Sequence, residues 1–152
     1  MNEKTIREHA ASLGYDLKPN GCIVVKRAPE TVPLALIEFA TQDIRWQVLC
    51  LCEHEIVLLT LSPYTLGLKR GSFRVISYDD VRAASVESAD QGMNRRIVIT
   101  LDDEELVLNA QREETSALRT SGMFGAWHAE NLPTVTKLIG SLGTSAEEES
   151  RG

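Results

Sequence analysis

Aromatic residues make up only 5% of this 152-residue chain, cysteine occurs three times, and no apolar run is long enough for a membrane helix. Each shortage closes off a class. A bilayer-spanning helix takes roughly 20 consecutive apolar residues, so none is expected. Cys22, Cys50 and Cys52 are odd in number, and a chain of this size can be stable without cross-links, so they read as reduced, mostly buried thiols. Met1-Asn2-Glu3-Lys4 is charged where a secretory leader would be apolar, which points to a cytoplasmic protein. A glycine-rich phosphate loop, a Gly-x-Ser-x-Gly elbow, a His-Glu-x-x-His pair and a Cys-x-x-Cys pair are all missing, so neither enzymatic activity nor a cofactor is expected. Positive charge is also short. The 16 lysines and arginines stand against 22 aspartates and glutamates, a net charge of −6, and that average field opposes phosphate backbones and anionic headgroups. Binding of nucleic acid or a membrane surface is therefore not expected.

What the chain does contain is enough for one core: 43% hydrophobic and 25% charged residues are the proportions of a globular domain. Thr5-Ile6-Arg7-Glu8 has capping-box spacing and Gly14 stands at a C-cap position, which predicts an amphipathic helix over 3–13. Turn residues over 16–21 precede a short strand at Cys22-Ile23-Val24-Val25, and the apolar stretch 34–40 leans towards strand. The two runs 46–52 and 56–61 form a hairpin around Glu53-His54-Glu55, and 73–78 is a further strand after the glycine-punctuated stretch 67–71. Asp79-Asp80 and Asp102-Asp103 are read as turns, with 96–101 and 105–110 pairing so that Ile97, Ile99 and Leu101 share a face with Leu106, Leu108 and Ala110. A last helix has Asn131 as N-cap, Pro133 in its first turn and the stripe Leu132, Val135, Leu138, Ile139, Leu142. The final stretch 143–152 carries Glu147-Glu148-Glu149 and no large apolar residue, and reads as a disordered acidic tail.

The order of hairpins followed by one helix resembles the bacterial pleckstrin-homology-like domains. The segments that carry the likeness are VLCLCEHEIVLLTL (48–61), FRVISYDDVRAASVE (73–87), RRIVITLDDEELVLNA (95–110) and NLPTVTKLIGSL (131–142). The resemblance implies an α+β, mostly β fold: a bent antiparallel sheet or partly open barrel capped by a C-terminal helix, serving as a binding platform and often self-associating. On that basis 44–142 is the main domain and 1–43 a helix-and-strand extension packed on the sheet edge. Relatives that bind phosphoinositides use basic residues around the first hairpin loop. Glu53-His54-Glu55 is expected to occupy that loop here, so phosphoinositide binding is not expected.

Cys50, Cys52 and His54 alternate and are metal-compatible in type, but a structural site needs a fourth ligand from Cys22, His9 or His128, so buried cysteines and a solvated histidine are the favoured reading. Lys69, Arg70 and Arg74 with Arg95 and Arg96 form an anion patch if their loops converge; scattered charges that guard strand edges are the commoner role. Trp46, Met123, Phe124 and Trp127 are of types enriched at association surfaces and form the candidate interaction surface, although closing the end of the sheet is the slightly favoured role for them. The expectation is thus a noncatalytic protein-interaction domain, possible as a homo-oligomer, whose partner the sequence does not name. An acidic secretion-chaperone-like protein holding an unfolded client is the alternative and would need a long central helix; a metal- or small-ligand-binding β-barrel is the third.

Overall fold

Strand β1 sets the architecture. The computed structural model describes residues 2–27, 46–61, 67–89, 94–111 and 127–151. Along the chain these form α1 (Glu3–Ser12), β1 (Leu17–Arg27), β2 (Trp46–Cys52), β3 (Glu55–Leu61) and β4 (Leu68–Ser77), then a single 3-10 turn Tyr78–Asp80. Next come β5 (Ala83–Ala89), β6 (Asn94–Thr100), β7 (Glu105–Gln111) and α2 (Trp127–Arg151). The strands make one antiparallel sheet in the order β4-β3-β2-β1-β7-β6-β5. This is the expected α+β, mostly β fold with a helix at either end. The placement of residues 1–43 as an edge extension is overturned, because β1 lies at the centre of the sheet, between β2 and β7. The stretch 34–40, expected to lean towards strand, lies outside the described residues.

Two packed clusters explain the hydrophobic pattern. Ile23 and Val25 of β1, Leu49 and Leu51 of β2, and Ile56 and Leu58 of β3 bury on one face with Ile76, Ile97, Ile99, Leu106 and Leu108, under Leu132, Val135 and Ile139 of α2. Their neighbours Cys22, Val24, Val48, Cys50, Cys52, Val57 and Leu59 bury on the other face with Ile6 and Ala10 of α1. A strand buried on both faces has no polar positions to alternate with, so β1, β2 and β3 read as continuous apolar runs. Strands β6 and β7 are buried on one face and alternate, with Ile97 opposite Leu108 and Ile99 opposite Leu106. The sheet bends back on itself: Arg74 of β4 forms an ion pair with Glu104 in the β6–β7 turn. Within that turn Asp102 accepts from Arg82, and the Asp79-Asp80 pair closes the 3-10 turn, so both aspartate pairs serve turns.

Local details depart from the sequence reading. Helix α1 is capped by Asn2, whose Oδ1 accepts from the Thr5 N–H at 2.9 Å, so Thr5 is inside the first turn and not at the cap. Its C-terminus is a Schellman motif: Tyr15 N–H donates to Ala10 O, Gly14 N–H to Ala11 O, and Gly14 has φ +94. Arg7 ties the helix to the sheet, donating to Glu3 Oε1 and to the carbonyls of Leu17 and Lys18. Those carbonyls belong to a register shift in β1, where Asn20 has φ 56 and a Cβ on Gly21 would stand 2.7 Å from Lys18 O. The turn chemistry over 16–21 is thus a bulge within a strand, not a turn before it. In the same way β4 runs through Gly71, at φ +77, where punctuation was expected.

Helix α2 starts one turn earlier than the sequence suggests. Asn131 is not its N-cap; it is 1% exposed in the second turn, and Pro133 is interior. The reason lies in β1. Strands β1 and β7 pair only at Lys26 and Arg27, so upstream of that point β1 has polar backbone groups turned towards α2. Asn131 Nδ2 donates to Cys22 O at 2.9 Å, and the Val24 N–H donates to His128 Nδ1 at 3.0 Å. Two helix side chains therefore complete the ladder where no strand does. The helix also continues to Arg151, where a disordered tail was expected; Ala and Glu are strong helix formers and propagate a helix already nucleated on the core.

Replacing Asn131 by Leu should leave Cys22 O buried and unpaired, costing about 1 to 3 kcal/mol. Urea denaturation followed by circular dichroism checks this: an unchanged midpoint would show that Asn131 does not complete the β1 ladder.

Candidate functional site

The largest exposed apolar side chains among the described residues are Phe73 and Val75, at 40% and 38% exposure, and both belong to β4. That strand is the first in the sheet order, so one of its edges pairs with β3 and the other with no described strand. Which groups face that edge follows from alternation. The Tyr78 N–H donates to His54 O at the β2–β3 turn, so residues of even number in this stretch direct N–H and C=O towards β3. Phe73 and Val75 then direct theirs outward. Their side chains sit opposite Leu59 and Val57 on the same sheet face as α1, and the Phe73 ring lies edge-on to Tyr15, with centroids 6.5 Å apart. A ladder edge that pairs with no described strand, beside two exposed apolar side chains, is a template for an added strand. The sequence reading missed both residues, because alternation gives Val75 and Phe73 one face without saying how far that face is covered.

The candidate interaction residues are placed differently. Trp127 is 7% exposed, packed into the cluster with Ile6, Val24 and Leu59, so it is core and not surface; it opens α2 on the β1 side of the sheet. Trp46 is half-buried against that cluster at the start of β2. Met123 and Phe124 lie outside the described residues. Of the five candidate anion-binding residues, Lys69, Arg70 and Arg74 lie on β4 and Arg95 and Arg96 on β6, first and sixth in the sheet order. Arg74 is paired with Glu104, Arg95 donates to Ser88 Oγ at 2.9 Å, and Arg96 stands opposite Glu87. Lys69 is exposed on β4, and of Arg70 only its place in that strand is described.

The cysteines share a face without the histidine. Cys22, Cys50 and Cys52 are all within the buried α1-side cluster, whereas His54 is exposed at the β2–β3 tip, because β2 ends at Cys52 and the alternation ends with it. Among the described residues no group of three or more His, Cys, Asp and Glu side chains is placed to hold a metal. The β2–β3 tip borders a cleft of about 560 Å³ with Gly14, Asp16, Leu17, Lys18, Glu53, His54 and Glu55 on its walls. Three carboxylates against one ammonium favour cationic over phosphate-bearing ligands there. This tip is, however, the second hairpin of the sheet. With β1 at Leu17–Arg27, the connection between the first two strands falls on 28–45, outside the described residues, so Glu53 to Glu55 carry no information about a phosphoinositide there.

Burial dominates the thiol chemistry. Desolvation raises Cys22 from its ordinary 9.0 to about 12 and Cys52 to about 11, reinforced at Cys22 by Glu3 and at Cys52 by Glu55 and Asp16. Cys50 is raised in the same sense, by burial first and then by its two cysteine neighbours. Tyr78, whose hydroxyl donates to Cys52 O, is raised to about 12, also by burial first. The folded chain therefore keeps protons that the unfolded chain releases near pH 9, and stability intact below that pH declines as pH rises towards 11 to 12. Urea midpoints measured across this range should fall, and Cys50→Ala should flatten the slope by up to about 1.4 kcal/mol per pH unit. An identical slope in the variant would show that Cys50 does not carry this dependence.

No family model matches the chain and no curated protein matches it. Among solved structures, the C-terminal domain of an unknown protein from Leishmania infantum is similar at 14% identity and a TM-score of 0.45, over 86% of this chain and 97% of that one.

Proposed function

We propose that the protein is a noncatalytic protein-interaction domain of the bacterial pleckstrin-homology-like type that self-associates through the outer edge of β4. The observation that carries this reading is the coincidence, on one edge strand, of outward-facing backbone groups and the exposed side chains of Phe73 and Val75. The occupant that fits is β4 of a second copy. A two-fold axis at Arg74 would set Phe73 against Val75 of the partner in both directions, an aromatic and β-branched cross-strand pair on the outer face. The two Arg74 side chains would meet on the inner face, where each is already neutralised by Glu104. The bent antiparallel sheet with a helix packed on its inner face supports the family reading.

The secretion-chaperone alternative loses its main requirement, since the described residues from Trp46 to Gln111 form strands and short turns, with no helix longer than the 3-10 turn Tyr78–Asp80. A metal-binding barrel has no support from the cysteine face, which is core.

Sedimentation velocity over a wide concentration range should give a monomer–dimer equilibrium. Phe73→Glu should weaken it at least tenfold, equivalent to about 1.4 kcal/mol, with an unchanged circular dichroism spectrum showing that the variant is folded. A strict monomer at the highest concentration reached would refute self-association.

A further inference from the structure

Cys22 and Cys50 are direct partners in the β1–β2 ladder, although 28 residues of sequence position separate them. Their hydrogen-bond class follows from the groups around them. Cys22 O accepts from Asn131 and the Val24 N–H donates to His128, so both residues turn their backbone groups towards α2 and away from β2. Residues of even number in this part of β1 therefore form the non-hydrogen-bonded pairs with β2, and Cys22–Cys50 is one of them. In such a pair the Cα atoms are roughly 4.5 Å apart and the side chains at their closest, which falls at the lower end of the roughly 4.4 to 6.8 Å that a disulfide spans. Both side chains lie in the same buried cluster on the α1 face. Cys52 is excluded from this pairing on geometric grounds: it is two residues along the same strand from Cys50, roughly 6.6 to 7 Å at the Cα, and its own register partner is Leu17.

We infer that Cys22 and Cys50 form a reversible cross-strand disulfide when the protein meets a small uncharged oxidant such as hydrogen peroxide, with Cys52 remaining a thiol. The sulfur of one cysteine attacks the peroxide, the O–O bond breaks, and water leaves with the thiol proton; the product is a sulfenic acid. The second sulfur attacks the sulfenic sulfur, the S–O bond breaks, and a second water departs with the remaining thiol proton. Two sulfurs together lose two electrons and peroxide gains them. A dithiol reductant reverses the result. The bond would fasten β1, the strand shared by both halves of the sheet, to β2 at the point where β1 has parted from β7. Because both thiols are buried, reaction is slow near neutrality and faster at mildly alkaline pH. This inference is independent of the β4 edge.

The test uses the whole reduced chain, exposed overnight to hydrogen peroxide at mildly alkaline pH without denaturant, then alkylated in urea and digested without reduction. Mass spectrometry should find the Cys22 peptide joined to the Cys50 peptide with the loss of two hydrogens, and Cys52 alkylated. Oxidation should raise Tm by about 5 to 15 °C, reversibly with dithiothreitol. Cys52→Ala should keep the rise, whereas Cys22→Ala should lose it; the wild-type peptide map decides the matter even if a variant folds poorly. Linkage through Cys52, linkage between chains, linkage that appears only when urea is present during oxidation, or no linkage in folded protein would each overturn the inference.

Discussion

The structure depends on the central stretch of β1, residues 21–25, being hydrogen-bonded and buried. It pairs with β2 along most of its length, with β7 only at Lys26 and Arg27, and with the side chains of His128 and Asn131 where β7 has diverged. A central strand cannot leave buried N–H and C=O groups unpaired without a large desolvation cost, so the place where the two halves of the sheet part is the place where a helix must supply polar atoms. That requirement sets the rotation and the depth of α2. Leu132, Val135 and Ile139 then fall onto the inner face as a consequence.

From that arrangement the rest of the surface follows. Strands β1, β2 and β3 are covered on both faces and offer little to a partner. At β4 the outer-face cover thins: Val57 and Leu59 on β3 are buried, and their cross-strand neighbours Val75 and Phe73 are exposed. Three arginines are engaged within the chain, Arg7 with Glu3 and two carbonyls, Arg74 with Glu104, Arg82 with Asp102. These ion pairs fasten elements to one another, while Phe73 and Val75 are the large apolar side chains left exposed among the described residues.

Much of the local structure was legible. The β2–β3 and β6–β7 hairpins, the face shared by Ile97, Ile99, Leu106 and Leu108, the Gly14 helix end and the α2 stripe all arise from periodicity and turn chemistry over a few residues. The errors have a common origin. Asn131 looked like a cap because Asn followed by Pro is a helix-start signal, but a buried amide bonded to Cys22 outranks it. Asn20 and Gly21 looked like a turn because a bulge uses the same residues. Trp127 was readable either as surface or as a plug for the end of the sheet, because composition cannot distinguish an aromatic that closes a core from one that greets a partner; it closes the core.

Sequence alone determined where the chain extends, where it coils and which stretches lack any polar alternation, because those properties come from the conformational preferences of neighbouring residues. Tertiary structure decided that β1 is central, that Cys22 faces Cys50, that three cysteines leave His54 behind, and that Phe73 and Val75 stay uncovered. Each of these depends on pairing between segments far apart in the chain. Such pairing is selected by the competition among all strands for partners and cover, which no local pattern records.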